Sequence, residues 1–227
     1  MPQQLWKLSP SDLTFLWDEC PRCFYLKVVH KFTRPPTPFP SIFTRIDGLM
    51  KDFFEGRSTQ EFSPELPSGV IKFSGLAVQS EPLRLPGHAS ACYIAGKFDS
   101  VIEFDDCTYA VVDFKTTTPK PEHVAFYSRQ LHAYAYALEH PAPGKLGLSP
   151  VVRLGLFSLD LDQLERRSVD RLALLGGVEW QACPLDEAEF LTFIDGVLSL
   201  LEQSEPPPPA EKCGFCKYRE DSSLTFY

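Results

Sequence analysis

The residues best suited to chemistry lie in two short segments, Gly96-Lys97-Phe98-Asp99 and Val111-Val112-Asp113-Phe114-Lys115-Thr116. Side chains alternate faces along a strand, so Asp113 and Lys115 point the same way. A hairpin between the two segments brings Asp99 alongside them. Two carboxylates and an ammonium then converge. Two carboxylates suit Mg²⁺ or Mn²⁺, which prefer oxygen ligands. An adjacent lysine can orient or deprotonate a metal-bound water, or offset charge growing on a phosphate. That set of tasks is phosphodiester hydrolysis. Taken alone, an Asp and a Lys two apart on a strand also fit a strand end at solvent. The preceding Gly-x-x-Asp and the helix that follows favour the chemical reading. On that helix Gln130 and Tyr134 stand four apart and share a face. Gln130 is placed to bind a phosphate or water there, and Tyr134 to hydrogen-bond or stack on a base.

The Gly-x-x-Asp strand, the Asp-x-Lys-Thr strand and the Gln-x-x-x-Tyr helix, in this order, resemble the PD-(D/E)XK nuclease superfamily. They look most like its RecB-like branch, which includes the iron–sulfur exonucleases of CRISPR adaptation and the AddB-type helicase-nucleases. The resemblance implies metal-dependent cleavage of DNA, with single strands or free ends as substrate and DNA-repair or CRISPR proteins as partners. It implies Asp99 and Asp113 as metal ligands, Lys115 as the catalytic lysine, Gln130 and Tyr134 in support, and the Phe114 carbonyl as a further ligand. The branch carries a Gly-x-x-x-His motif on an earlier helix. Here Gly48-Leu49-Met50-Lys51-Asp52 is the best match, with Asp52 in the histidine's place. An aspartate can ligate Mg²⁺ or Mn²⁺, so the exchange suits an active site. It suits equally a degenerate one, in a protein that keeps the fold as a nucleic-acid-binding scaffold.

Cys20-Pro21-Arg22-Cys23 and Cys213-Gly214-Phe215-Cys216 form two Cys-x-x-Cys pairs. Each spacing lets two thiolates grip one metal centre, and four sulfurs complete a tetrahedral set. By resemblance to iron–sulfur members of the branch, Cys20 matches the N-terminal ligand, while Cys213 and Cys216 match the first two of a C-terminal trio. No cysteine follows Cys216, and Cys23 supplies the fourth ligand. A [4Fe–4S] cluster is favoured over Zn²⁺, although four thiolates suit both. Cys92, Cys107 and Cys183 lie in apolar strand-like segments and read as buried packing residues.

These groups need elements to hold them. Ser9 and Pro10 open a first helix, which Pro21 interrupts, and an apolar segment follows over Cys23–Val29. Pro35, Pro36, Pro38 and Pro40 form a connector. Ile42, Phe43, Ile46, Leu49, Met50, Phe53 and Phe54 then recur at helical spacing. Tyr93–Phe104 reads as one strand region, Asp105-Asp106 as a turn and Tyr109–Lys115 as the next strand. Pro121 opens a helix through Glu139, on which His123, His132 and His140 read as surface residues. Val151–Leu159 and Val178–Cys183 are strands, Asp186–Gln203 a helix and Pro206–Pro209 a stiff spacer. The predicted fold is α/β: a restriction-endonuclease-like mixed β-sheet flanked by helices. Residues 1–227 read as one domain, with 1–40 and 204–227 forming a lobe joined at the four cysteines.

The whole-chain numbers set the frame. The chain has 227 residues, 44% of them apolar and 23% charged, with a formal net charge of −8. Disordered, collagen-like and coiled-coil classes are excluded, and a protein that coats nucleic acid by bulk charge is disfavoured. Lys7, Arg22, Lys27, Lys31 and Arg34 outnumber Asp12, Asp18 and Glu19 in the N-terminal arm, which makes a weak candidate DNA track. No stretch suits a membrane helix, and the first residues carry no signal-peptide pattern. With seven cysteines suited to metal chemistry in a reducing compartment, the chain reads as cytoplasmic.

Overall fold

The computed structural model describes residues 4–224. Two sheets form rather than one. Strands β1 (Leu5–Leu8), β4 (Ala91–Lys97) and β3 (Ala77–Gln79) make a three-stranded sheet in the order β1-β4-β3. Strands β2 (Gly69–Ser74), β5 (Ser100–Phe104), β6 (Tyr109–Lys115), β7 (Val151–Arg166) and β8 (Leu172–Cys183) make a five-stranded mixed sheet in that order. The predicted strand over Tyr93–Phe104 is therefore corrected to two strands in different sheets. The chain changes sheet at Phe98-Asp99. There Phe98 is fully buried and its N–H donates to the Leu76 carbonyl, while Asp99 leaves the ladder.

β5 and β6 form the expected antiparallel hairpin, Ser100 opposite Val112 and Glu103 opposite Tyr109. The turn between them contains Cys107 at φ 62°, and its side chain is exposed, not packed as expected. β6 runs parallel to β7, which requires a crossover. Helix α5 (Pro121–Glu139) supplies it, with Pro121 at its first turn, where no N–H is needed.

Alternation along the central strands sorts side chains into two cores. Val101, Val111, Leu154 and Leu156 face α5. Ile102, Ala110, Val112, Phe114 and Phe157 face the opposite side, where Phe54 of α3 (Ser41–Phe54) and Phe62 of α4 (Thr59–Phe62) pack. β6 is buried on both faces, and its VVDF run buries an aspartate among apolar neighbours. Near the N-terminus a wide helical turn, Asp12–Leu16, runs into α1 (Trp17–Glu19). Cys20 then breaks the helix, and α2 (Pro21–His30) begins with Pro21. α6 (Glu187–Leu201) is capped by the Asp186 carboxylate, which accepts from the Glu189 N–H at 2.8 Å, and α7 (Gly214–Leu224) follows.

Three further expectations change. β7 and β8 run seven and six residues past their predicted ends, because the polar stretch Asp160–Arg166 pairs with Leu172–Gly177 as an exposed ladder. Of the apolar stripe on α3, Met50 and Phe54 are buried, while Ile42, Phe43, Leu49 and Phe53 stay exposed. His132 is buried, its Nε2 accepting from the Asp186 N–H at 2.9 Å and its Nδ1 meeting the Ser128 carbonyl at 2.8 Å.

Leu131 sits fully buried on α5, directly after Gln130. Leu131→Ala is expected to lower stability by about 2–5 kcal/mol, read as a fall in the urea midpoint at unchanged slope.

Candidate active site and cysteine cluster

Strand β6 carries the centre. Asp113 is 2% exposed. Its Oδ1 accepts from Gln130 Nε2 at 3.0 Å, and its Oδ2 faces the Lys115 ammonium in an ion pair. Lys115 Nζ also lies 3.8 Å from the centroid of the Tyr127 ring on α5. Asp99, at the change of sheet, is fixed from both sides. Its Oδ2 accepts from the Phe114 N–H at 2.9 Å and its Oδ1 meets Lys51 Nζ at 2.7 Å. Lys51 on α3 also reaches Asp47 Oδ2 at 2.7 Å. Asp99, Asp113, Lys115 and Gln130 therefore meet, joined by Asp47 and Lys51.

Burial pushes the Asp113 carboxyl up to about 7; the Lys115 charge opposes this and the Asp99 charge adds to it. Burial works against the charged form of Lys115, but the neighbouring carboxylates, Asp113 foremost, outweigh it and raise its pKa. The same balance raises Lys51, with Asp47 and Asp99 overcoming burial. The site is therefore a cluster of mutually dependent charges that would be costly to bury singly.

Whether a cation fits here is decided by the oxygens. Gln130 Oε1 is buried with no hydrogen-bond partner, and the Lys115 ammonium is the partner of Asp113 Oδ2. An unsatisfied oxygen acceptor beside two carboxylates suits Mg²⁺ or Mn²⁺, or the water such an ion carries. Asp99 and Asp113 would hold the ion.

Two of the predicted site residues stand apart from this arrangement. Asp52 is exposed and lines an apolar groove with Leu49, Phe53 and Val178. The helix face toward Asp99 is the one bearing Asp47 and Lys51, so the predicted ligand position on α3 is corrected: Asp52 is turned away. Tyr134 is 6% exposed and donates to the Lys97 carbonyl at 2.7 Å. It braces the chain before Asp99 and offers no free face to a base. The backbone N–H of Phe114 is taken by Asp99, and its ring lies in the core on the other side of the sheet. Asp47 and Lys51 escaped the sequence reading. Their spacing of four was the signal, hidden beside the apolar stripe.

The cysteines meet at the far end. The ligand atoms of Cys20, Cys23, Cys213 and Cys216 all lie within 4.8 Å of one another, and all four residues are buried. The closest sulfur pairs are Cys23–Cys216 at 3.6 Å, Cys23–Cys213 at 3.7 Å and Cys20–Cys216 at 3.8 Å. The thiols are unbridged. A four-sulfur set of this size can hold a metal centre. Arg34 Nη2 lies 3.3 Å from Cys213 Sγ, and its charge is anchored by Glu19 at 2.6 Å, so a cation offsets thiolate charge. Burial alone would raise the Cys20 thiol. Backbone hydrogen bonds from Ala210 and Cys23, together with neighbouring thiols, bring it down to about 7.

The family model of the PD-(D/E)XK nuclease superfamily matches residues 48–220. The chain belongs to the PD-(D/E)XK nuclease superfamily. That family comprises hydrolytic nucleases that use divalent metals, and the matched span holds Asp99, Asp113, Lys115 and Gln130 together with Asp47's neighbours on α3. The crystal structure of SSO0001 superposes with a TM-score of 0.50 at 16% sequence identity, covering 88% of this chain and 79% of that one, and so shares the fold. No curated protein matches the chain. No helix among the described residues is long and apolar enough to cross a membrane.

Lys51→Ala removes the charge shared by Asp47 and Asp99. It is expected to lower stability in chelator by about 1–3 kcal/mol. Added Mn²⁺ should raise the melting temperature of the variant more than that of wild type, as followed by differential scanning fluorimetry.

Proposed function

We propose that this chain is a divalent-metal-dependent deoxyribonuclease of the RecB-like type, acting on single-stranded DNA or DNA ends. The carrying observation is the buried Asp113, paired with Lys115 on the same face of β6, beside an Asp99 fixed to the next residue's N–H. When bound, Mg²⁺ or Mn²⁺ would polarise the phosphate and lower the pKa of an attacking water. Asp99 and Asp113 would hold the ion, with the Phe114 carbonyl as a further ligand. Lys115 would place its ammonium against the phosphate oxygens, where negative charge grows as water attacks phosphorus and the bridging oxygen leaves. Gln130 orients the Asp113 carboxylate through Oδ1. Tyr134 acts at one remove, by holding Lys97 and so Asp99.

The four cysteines would hold one metal centre as a fastener and not as the catalyst: a [4Fe–4S] cluster by resemblance, or Zn²⁺, whose tetrahedral bonds of about 2.3 Å suit sulfurs 3.6–3.8 Å apart. We take 1–227 as a single nuclease-type domain whose residues 1–40 and 204–227 form the cysteine-bound lobe. Contacts of Arg22 with the Pro207 carbonyl and of Tyr25 with the Gln203 carbonyl support that reading. Four buried cysteines gathered as one metal-binding set suit a reducing, cytoplasmic setting, and DNA repair or CRISPR-type processing is the context the resemblance implies.

A second reading is a catalytically silent nucleic-acid-binding or scaffold protein. The outward Asp52 and the lysine lodged between Asp47 and Asp99 favour it.

Cleavage of single-stranded DNA, duplex DNA and RNA with Mn²⁺ separates the two. Asp113→Ala and Lys115→Ala are each expected to lose at least about 100-fold in rate; equal rates in all three proteins would select the silent reading. Anaerobic purification should give a brown protein with an iron–sulfur absorption band. A colourless protein carrying one zinc per chain would assign the centre to Zn²⁺.

A further inference from the structure

We infer that Phe39 and Phe43 form a stacking platform for an unpaired nucleobase next to the phosphate held at Lys115. The inference rests on the nuclease reading above and adds a base-recognition subsite to it. The two rings, with Thr44, Asp47, Phe114, Lys115 and Thr116, line an open cleft of about 470 Å³. That volume is in the range of sites that hold small organic ligands. Lys115 thus forms part of both the charged centre and this cleft.

Phe39 is 71% exposed, more than any other phenylalanine among the described residues, and Phe43 is 40% exposed. Their centroids lie 5.9 Å apart with planes inclined by 50°, so the two rings are not stacked face to face on each other. Other exposed phenylalanines have partners of their own: Phe15 meets Phe126 and Tyr127, Phe53 lies under the Arg57 guanidinium and Phe32 under that of Arg219. The platform is also stiff. Pro38 and Pro40 flank Phe39 and fix the local backbone, and the Phe43 N–H donates to the Pro40 carbonyl at 3.1 Å as α3 begins.

Two exposed rings on a rigid support bind a flat aromatic face at little entropic cost. Base–aromatic stacking is tolerant of sequence, because every base presents a π-face. A base inside a duplex is covered on both faces and a blunt-end base on one. An unpaired base in a single strand or at a frayed end therefore fits the platform best, and the blunt duplex should bind more weakly than oligothymidylate. Within this lining Lys115 is the group for the phosphate and the two rings are the group for the base, since Asp47 is already paired with Lys51 at 2.7 Å.

The test is fluorescence anisotropy with labelled oligothymidylate, an abasic oligomer of equal length and a blunt duplex, in Ca²⁺. Phe39→Ala and Phe43→Ala are expected to weaken oligothymidylate binding by about 5- to 100-fold each. Binding of the abasic oligomer should not change, and Phe39→Trp should retain wild-type affinity. Lys115→Ala should weaken both single strands alike. Equal affinity of wild type for oligothymidylate and abasic oligomer, or no binding of either, overturns the platform. So does unchanged base preference in both alanine variants, which would leave the rings to a protein partner. If base-dependent binding through Phe39 and Phe43 persists in a protein that cleaves nothing, the nuclease reading fails and the platform stands.

Discussion

Burying one carboxylate in the middle of a sheet constrains everything around it. Asp113 lies between apolar neighbours on a strand covered on both faces, and an isolated charge there would cost several kcal/mol. The structure meets that cost with Lys115 on the same strand face and Gln130 from the crossover helix. Lys115 is itself mostly buried and needs the carboxylate in return. Asp99 adds a second negative charge and requires Lys51, which in turn holds Asp47. Asp113 and Lys115, the most deeply buried of these charges, depend on each other most, while Asp99, Lys51 and Asp47 extend the pairing toward solvent. The group therefore acts as a unit, and the positions of β5, β6, α3 and α5 all follow from it.

The two cores divide the labour around that unit. The core under α5 mixes aliphatic side chains with Phe98, Tyr127 and Tyr134 near the site. The opposite core is built from stacked phenylalanines: Phe62 and Phe157 have ring centroids 3.8 Å apart, and Phe54 meets Phe62 edge-on at 5.1 Å. A rigid aromatic layer beneath α3 fixes that helix, and with it the distance from Lys51 to Asp99. Gly155 has a matching role on β7. A Cβ there would lie 2.2 Å from the Trp180 ring, so its absence lets Trp180 cover the strand.

The sequence made the centre of the site legible, because strand alternation and helical spacing are strict local rules. Asp113 and Lys115 two apart, and Gln130 on a helix opened by Pro121, follow from backbone geometry alone. The α3 contribution was not legible. Asp52 was singled out by its place in the Gly-x-x-x-His match, whereas Asp47 and Lys51 lie on another flank of the same helix. Which flank met the sheet was settled by long-range packing of Met50 and Phe54. The sheet change at Phe98-Asp99 was hidden for a similar reason: two strands separated by two residues look like one extended run. His132 looked like a surface residue until the start of α6 placed the Asp186 N–H against its ring. The extended β7–β8 ladder was missed because its β7 half, Asp160–Arg166, is largely polar and its β8 half carries Gly176-Gly177, which reads as a break between strands.

The meeting of Cys20 and Cys23 with Cys213 and Cys216 has a topological result. Sulfurs 196 positions apart along the chain lie 3.8 Å from each other, so a metal shared by all four turns the polymer from a line into a ring. For a loop this long, chain-entropy reasoning values such closure at about 5 kcal/mol. A ring also tolerates a cut that a line does not. The β7–β8 turn, where Val169 is 95% exposed, is the natural place for one. Scission there would leave two polypeptides, each contributing one Cys-x-x-Cys pair to the same centre, still clasped as a single particle.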